Sequence, residues 1–379
     1  MSNTPMNLVP LSLTLLLTLS PSLLLHAQAP ASPFERWDAN KDGKLSREEL
    51  PEPLRQNFVR VDADGDGFIS REEDATMRRN RGKGQAPAPG SKGAASTPEG
   101  VKKIADIDYA GTGNPRQTLD LYLPDKRDGE DPLPIVIFIH GGGWQKGDKN
   151  GGGGKVAPYV TTRKFAGASI GYRLSDEAQW PSQIHDCKAA IRWIKANAAE
   201  HGLDPDRIAV WGTSAGGHLV AMLGVSHGIA DLEGTIGSHT DQNAKVKCVL
   251  NFFGPAELLT MGGRHDDANS PESKLLGGAV QENPDKAKTA SPVEHVTADD
   301  APSLIVHGTD DPAVPYSQSV TLEKKLEEAG VPAIFLTVEG GGHGKGFGPV
   351  VNDVVTAYLE QQLLGETREL ADKRVKSGE

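Results

Sequence analysis

Three short stretches of this 379-residue chain set reactive side chains among glycines: 140-HGGGWQKGD-148, 212-GTSAGG-217 and 339-EGGGHGKGF-347. A serine hydroxyl is a weak nucleophile until a base takes its proton, and the base needs a carboxylate to fix its orientation. Ser214, flanked by small residues as G-x-S-x-G, suits a hydroxyl pushed out on a sharp strand-to-helix turn. The backbone N–H of Ala215 would then be one donor to a developing oxyanion, helped by the helix dipole. Glycines let a backbone approach a ligand closely, which nominates the amides of Gly142 and Gly143, with Gly141 making the turn. Downstream, 307-HGTDDPAVP-315 offers two orienting acids, Asp310 and Asp311. His343 is the single histidine beyond them among the eleven in the chain. The chemistry such a set can do is attack on a carbonyl through a covalent acyl intermediate.

Such a site needs strand ends to stand on. The apolar runs predict strands at 104–109, 118–123, 134–140, 165–172, 207–212, 247–254, 303–308 and 333–340, eight in all. Helical periodicity appears at 182–202, after Ser214, and at 317–330 and 350–364. The middle strands are continuous apolar runs, as in a parallel sheet covered on both faces. The first two strands follow one another without a helix, so that edge is expected to be antiparallel. The expectation is one doubly wound, mostly parallel α/β domain over 101–365, followed by a loose charged tail at 366–379. The glycine run 151–154 reads as a flexible loop. Lys155 is followed by Val156, which rules out a phosphate loop of the Gly-Lys-Ser/Thr kind. The connections 226–245 and 255–300 are polar and glycine-rich, which disfavours a large apolar lid and favours short or water-soluble esters. Trp144 and Trp180 are candidates either for an aromatic or sugar subsite or for packing. The two cysteines, Cys187 and Cys248, read as buried free thiols or as a pair.

Taken together, HGGGWQKGDK, the long run YRLSDEAQWPSQIHDCKAAIRWIKANAAEHGLDPDRIAVWGTSAGGHL, HGTDDPAVP and GGGHG resemble the bacterial esterase/lipase family of α/β-hydrolases over about 104–362. The nearest pattern is the group that includes feruloyl and acetyl esterases acting on plant polysaccharides. The resemblance implies that Ser214 is the nucleophile, His343 the base and Asp311, rather than Asp310, the acid. It also implies that Gly142, Gly143 and Ala215 form the oxyanion hole, and that no cofactor takes part in catalysis. The substrate would be a small-molecule or polysaccharide ester.

A different chemistry is written twice near the N-terminus, in 38-DANKDGKLSREE-49 and 62-DADGDGFISREE-73. Both fit D-x-[DN]-x-[DN]-G-x₅-E, the twelve-residue EF-hand loop, in which hard oxygen ligands surround a calcium ion. The first copy supplies Asp38, Asn40, Asp42, the Lys44 carbonyl, Ser46 through water and a bidentate Glu49. The second supplies Asp62, Asp64, Asp66, the Phe68 carbonyl, Ser70 through water and Glu73. Leu45 and Ile69 stand where paired loops form a short β-bridge. A small all-α EF-hand pair is therefore expected over 30–79, with calcium as a structural staple, and a Gly/Ala/Pro/Ser-rich linker over 80–100.

Residues 1–29 have an apolar core ending in Ala27-Gln28-Ala29, the shape of an export signal, broken by Pro10 and Pro21 as a lasting membrane anchor would not be. The expected location is the periplasm or the outside of the cell. A net charge of -11 with no basic stripe excludes a nucleic-acid partner. Two other readings stand beside the esterase: an amidase or peptidase of the same fold, and a calcium-dependent anchoring protein with an inactive hydrolase fold.

Overall fold

The computed structural model describes Met1, Phe34, residues 37–50 and 67–71, Glu73 and residues 97–379. The expected signal segment, the linker up to residue 96, and Asp62, Asp64 and Asp66 lie outside the described residues. The chain divides into two compact units, Met1–Gly93 and Ala94–Glu379.

In the first unit, β1 (Lys44–Leu45) and β2 (Ile69–Ser70) pair antiparallel, with Leu45 opposite Ile69. Both side chains are buried with Phe34 and Leu50, a small apolar cluster against which Trp37 packs.

The second unit is built on a nine-stranded sheet. Its strands are β3 (Val101–Asp108), β4 (Thr118–Pro124), β5 (Leu133–Ile139), β6 (Ala166–Ile170), β7 (Leu203–Thr213), β8 (Cys248–Phe252), β9 (Ser303–Gly308), β10 (Ala333–Glu339) and β11 (Lys373–Lys376). They lie in the order β11-β10-β9-β8-β7-β5-β6-β4-β3. Pairings from β11 across to β6 are parallel; β4 runs antiparallel to both β6 and β3. Along β5, Ile135, Ile137 and Ile139 enter one apolar cluster while Val136 and Phe138 enter another. That alternation is why the strand is apolar throughout: it is covered on both faces. On one face lie α2 (Ser182–Ala196) and α3 (Ala215–Val225); on the other lie α1 (Gly153–Val160) and α7 (Pro349–Leu364). Between them in sequence come α4 (Pro271–Leu276), α5 (Pro284–Thr289) and α6 (Ser317–Glu328).

Two expectations need correcting. The segment 366–379 is no loose tail: Val375 pairs with Val338 as part of β11 and is buried, and the Phe335 amide donates to Asp372. Flanking lysines and an arginine suit an edge strand exposed on its outer side. This ninth strand also makes the sheet one strand wider than the eight expected. The glycine run is likewise ordered, as a 3₁₀ turn at Lys149–Gly151 leading into α1. Here glycine serves close approach: a Cβ on Gly152 would sit 2.0 Å from the Ser169 hydroxyl. Cys187 and Cys248 are free and buried.

The chain leaves β5 toward β6 on one side and returns through α2 to β7 on the other. The reversal falls at β5, and in open α/β sheets ligands settle at the carboxyl ends of the strands beside such a reversal. The strands β5, β7, β9 and β10 end in HGGG, Ser214, Asp311 and His343 respectively.

Candidate active site

Ser214 stands at the junction of β7 and α3 with φ 55° and ψ -124°, a left-handed conformation that costs a non-glycine residue about 1–3 kcal/mol. Its amide donates to the Phe252 carbonyl at 2.9 Å, which ties the turn to the end of β8. Small neighbours make the turn possible: a Cβ on Gly216 would meet the Ile139 carbonyl oxygen at 2.1 Å. The tightness of the elbow is thus set by how closely the start of α3 lies on the end of β5.

The glycine loop that follows β5 lies beside it. Gly142 has φ 116° and Gly143 φ 60°, and the loop closes on itself through the amides of Gln145 and Lys146 donating to the Gly142 carbonyl. A side chain at Gly141 would press against Ser214, its Cβ 3.3 Å from that of the serine. Among the described residues the backbone N–H groups of Gly142, Gly143 and Ala215 donate to no protein acceptor.

Asp311 and His343 meet directly: Asp311 Oδ2 is 2.7 Å from His343 Nδ1, with the carboxyl fully buried and the imidazole part-exposed. The other carboxyl oxygen accepts from the amides of Ala313 and Val314 at 2.7 and 3.0 Å. Burial by itself would raise the Asp311 pKa. The donors His307 and His343 and the two amides outweigh it and hold the carboxyl well below its ordinary range. The loops carrying Asp311 and His343 are sewn together, the Asp310 amide donating to the Gly341 carbonyl and the Gly340 amide to Thr309 Oγ1. Asp310 itself is exposed and accepts only from Thr309 among the described residues. Phe253, next to the residue that anchors Ser214, lies with its ring 4.5 Å from that of His343. Serine and imidazole thus flank one short segment, Phe252–Phe253. Among the described residues the Ser214 hydroxyl has no hydrogen bond, as is common in hydrolase sites before substrate arrives.

In the N-terminal unit the first acidic loop is curled around its own carboxylates. Glu49 accepts from the amides of Ala39, Asn40 and Ser46 and from the Ser46 hydroxyl, while Gly43 donates to Asp38 Oδ2. Asp38 Oδ1 is buried and, among the described residues, unpartnered. A buried carboxylate oxygen without a donor is costly unless a cation faces it. Asp38, Asn40, Asp42, Glu49 and the Lys44 carbonyl are the hard oxygen donors calcium takes, so the loop fits that ion. In the second loop Glu73 accepts from Ser70 as Glu49 does from Ser46, and Gly43 and Gly67 share φ near 80°, at 82° and 84°.

The sequence profile of the BD-FAE family matches residues 119–326, more than half of the chain. The chain belongs to the BD-FAE family. EF-hand profiles match residues 34–52 and 54–73. A carbohydrate esterase from gut microbiota, solved in truncated form, is 36% identical with a TM-score of 0.66, covering 69% of this chain and 96% of that one. A bifunctional GH43-CE protein of Bacteroides eggerthii is 32% identical with a TM-score of 0.65, over 69% of this chain and 35% of that one. Esterase LipC of Mycobacterium tuberculosis is 29% identical over 61% of this chain; the chain spans 57% of LipC's length. These relatives are ester hydrolases, and the fold is that of the α/β-hydrolases.

Two features of this BD-FAE site escape sequence reasoning. His307, at the end of β9, is fully buried and brings Nε2 to 3.2 Å from Asp311 Oδ2, its Nδ1 lying 2.7 Å from Ser319 Oγ. The four-residue spacing to Asp311 was a signal that could have found it. Phe253 carries no signal at all, since its place against His343 depends on a left-handed φ of 44°. Trp144 and Trp180 are 1% and 5% exposed, so both are packing residues and not a subsite wall. Polar groups of the 255–300 connection instead reach the loops that carry the site. Arg264 donates to the Pro312 and Ala313 carbonyls, and Lys274 to Gln145.

Proposed function

We propose that this protein is an exported serine esterase that removes short acyl groups, acetyl or feruloyl, from polysaccharide or small carbohydrate esters. The observation that carries the reading is the Asp311–His343 pair, 2.7 Å apart, at the same sheet edge as the strained Ser214. His343 Nδ1–H donates to the Asp311 carboxylate, which leaves Nε2 free to take the Ser214 proton as Oγ attacks the ester carbonyl. The oxyanion is received by the open amides of Gly142, Gly143 and Ala215. The proton on Nε2 passes to the leaving alcohol, and an acyl-serine remains. Water, deprotonated by the same imidazole, releases the carboxylic acid and restores the hydroxyl.

The carbohydrate side of the reading draws on one solved relative described as a carbohydrate esterase and a second described as a bifunctional GH43-CE protein. It also draws on the polar rim of Gln145, Arg264 and Lys274. A panel of acetylated and feruloylated oligosaccharides should give kcat/KM at least about 10-fold above the same acyl groups on simple alcohols, a difference of about 1.4 kcal/mol. Equal or better turnover of aliphatic esters sinks the carbohydrate assignment and leaves the serine mechanism standing.

Calcium in this reading is structural, held by the N-terminal loops and outside every chemical step. Calorimetric titration should find two sites in the parent and one in Glu49→Gln. A chelator should lower the melting temperature, since ligand at 100 times Kd stabilises by about 2.7 kcal/mol, while turnover per folded molecule stays constant. Instant, reversible loss of turnover without unfolding contradicts the structural role.

A further inference from the structure

The helix that follows Ser214 carries one histidine, and the relay does not use it. His218 lies one turn beyond Ser214, its amide donating to the Ser214 carbonyl at 2.9 Å, and its side chain is fully buried. On one side Trp144 Nε1–H donates to His218 Nδ1 at 3.3 Å, the two rings perpendicular at 5.2 Å. On the other side His218 Nε2 is 2.6 Å from the Ala290 carbonyl. An indole N–H can only donate and a carbonyl can only accept. The two contacts therefore fix one tautomer, with the proton on Nε2.

Each partner belongs to a different part of the site. Trp144 ends the oxyanion loop directly after Gly143 and holds φ 54°, a conformation its surroundings must maintain. Ala290 follows α5 in the 255–300 insertion. Trp180 packs on the same imidazole at 5.5 Å and belongs to the same enclosure, its amide donating to Leu275 and its indole to Thr289. We propose that His218 is a positioning residue that holds the oxyanion loop, through Trp144, and the insertion, through Ala290, in register with Ser214. This rests on Ser214 being the nucleophile. Burial pushes the His218 imidazole down to about 4, against the pull of the Ala290 carbonyl, so the joint stays in its neutral form at neutral pH.

The geometry separates the two arms. Asn at 218 can keep an oxygen near the place of Nδ1 and so retain Trp144, while Leu can retain neither partner. The expected result is a kcat about 10- to 100-fold lower in His218→Leu and in Trp144→Phe, with KM within about twofold. His218→Asn should recover most of that kcat. The double variant Trp144→Phe/His218→Leu should lose no more than either single one, because both cut the same link. The preference for an ester over its thionoester, which reads hydrogen bonding to the oxyanion, should shrink in step with kcat. Hydrogen exchange of residues 140–147, measured without substrate, should quicken in His218→Leu and stay near the parent rate in His218→Asn.

A His218→Leu protein with a lower melting temperature but parental kcat per folded molecule and parental loop exchange overturns the proposal. So does a His218→Asn protein as impaired as His218→Leu. Failure of the nucleophile assignment shows elsewhere, as undiminished turnover in Ser214→Ala, and the exchange measurement judges the joint by itself.

Discussion

Ser214→Ala lowers ester turnover by roughly 10⁴- to 10⁶-fold, with substrate affinity nearly unchanged. The size follows from what is removed: without Oγ no acyl-enzyme forms, and what remains is attack by water in a site that still offers amide donors. The turn itself survives, because alanine tolerates φ 55° no better and no worse than serine. Ser214→Gly, by contrast, loses the same activity while raising the melting temperature, since glycine meets no steric penalty in the left-handed region. Together the two variants measure how much stability the serine position gives up for its geometry, of the order of 1 kcal/mol. Parental turnover of p-nitrophenyl acetate by Ser214→Ala would falsify the serine mechanism and with it the esterase reading.

Asp311→Asn lowers kcat by about 10³- to 10⁴-fold and leaves KM close to parental. A carboxylate can only accept, so it forces the proton of His343 onto Nδ1 and clears Nε2 for the serine. A carboxamide can present an N–H instead and stabilise the opposite tautomer. The charge also matters, because the imidazolium formed during attack sits 2.7 Å from Oδ2. The carboxyl has a folded-state pKa below its ordinary value near 3.8. Its ionised form therefore stabilises the fold fully above that value, and the contribution fades only as pH falls toward the folded pKa. Loss of activity between pH 7 and 5 must come from another group. Asp310→Asn serves as the control, its side chain lying exposed on the neighbouring turn. Equal losses in both variants would show that the turn as a whole, and not the Asp311 carboxylate, is what matters.

The sequence discloses the four crevice loops because each combines a strand end with glycines that admit few alternatives, and because their order along the chain follows the sheet. The strands β5, β7, β8 and β9 are apolar on both faces and four or more residues long, which suffices for recognition. What sequence patterns miss is set by other physics. β11 has one inward side chain, Val375, and four residues hold no period to detect. The helix α1 hides behind glycines that would weaken an isolated helix, and is fixed by its fit against β4 and β6. His218 and Phe253 owe their positions to contacts with residues 72 and 90 positions away, which neither propensity nor motif encodes.

The last strand has a consequence for handling the protein. By pairing with β10 it occupies the hydrogen-bonding groups along that margin, from Leu336 to Glu339. Shortening the polypeptide ahead of Lys373 would bare the backbone hydrogen-bonding groups of β10, an edge of the kind that recruits neighbouring molecules into aggregates. Fusion partners and purification handles should therefore leave residues 368–379 in place.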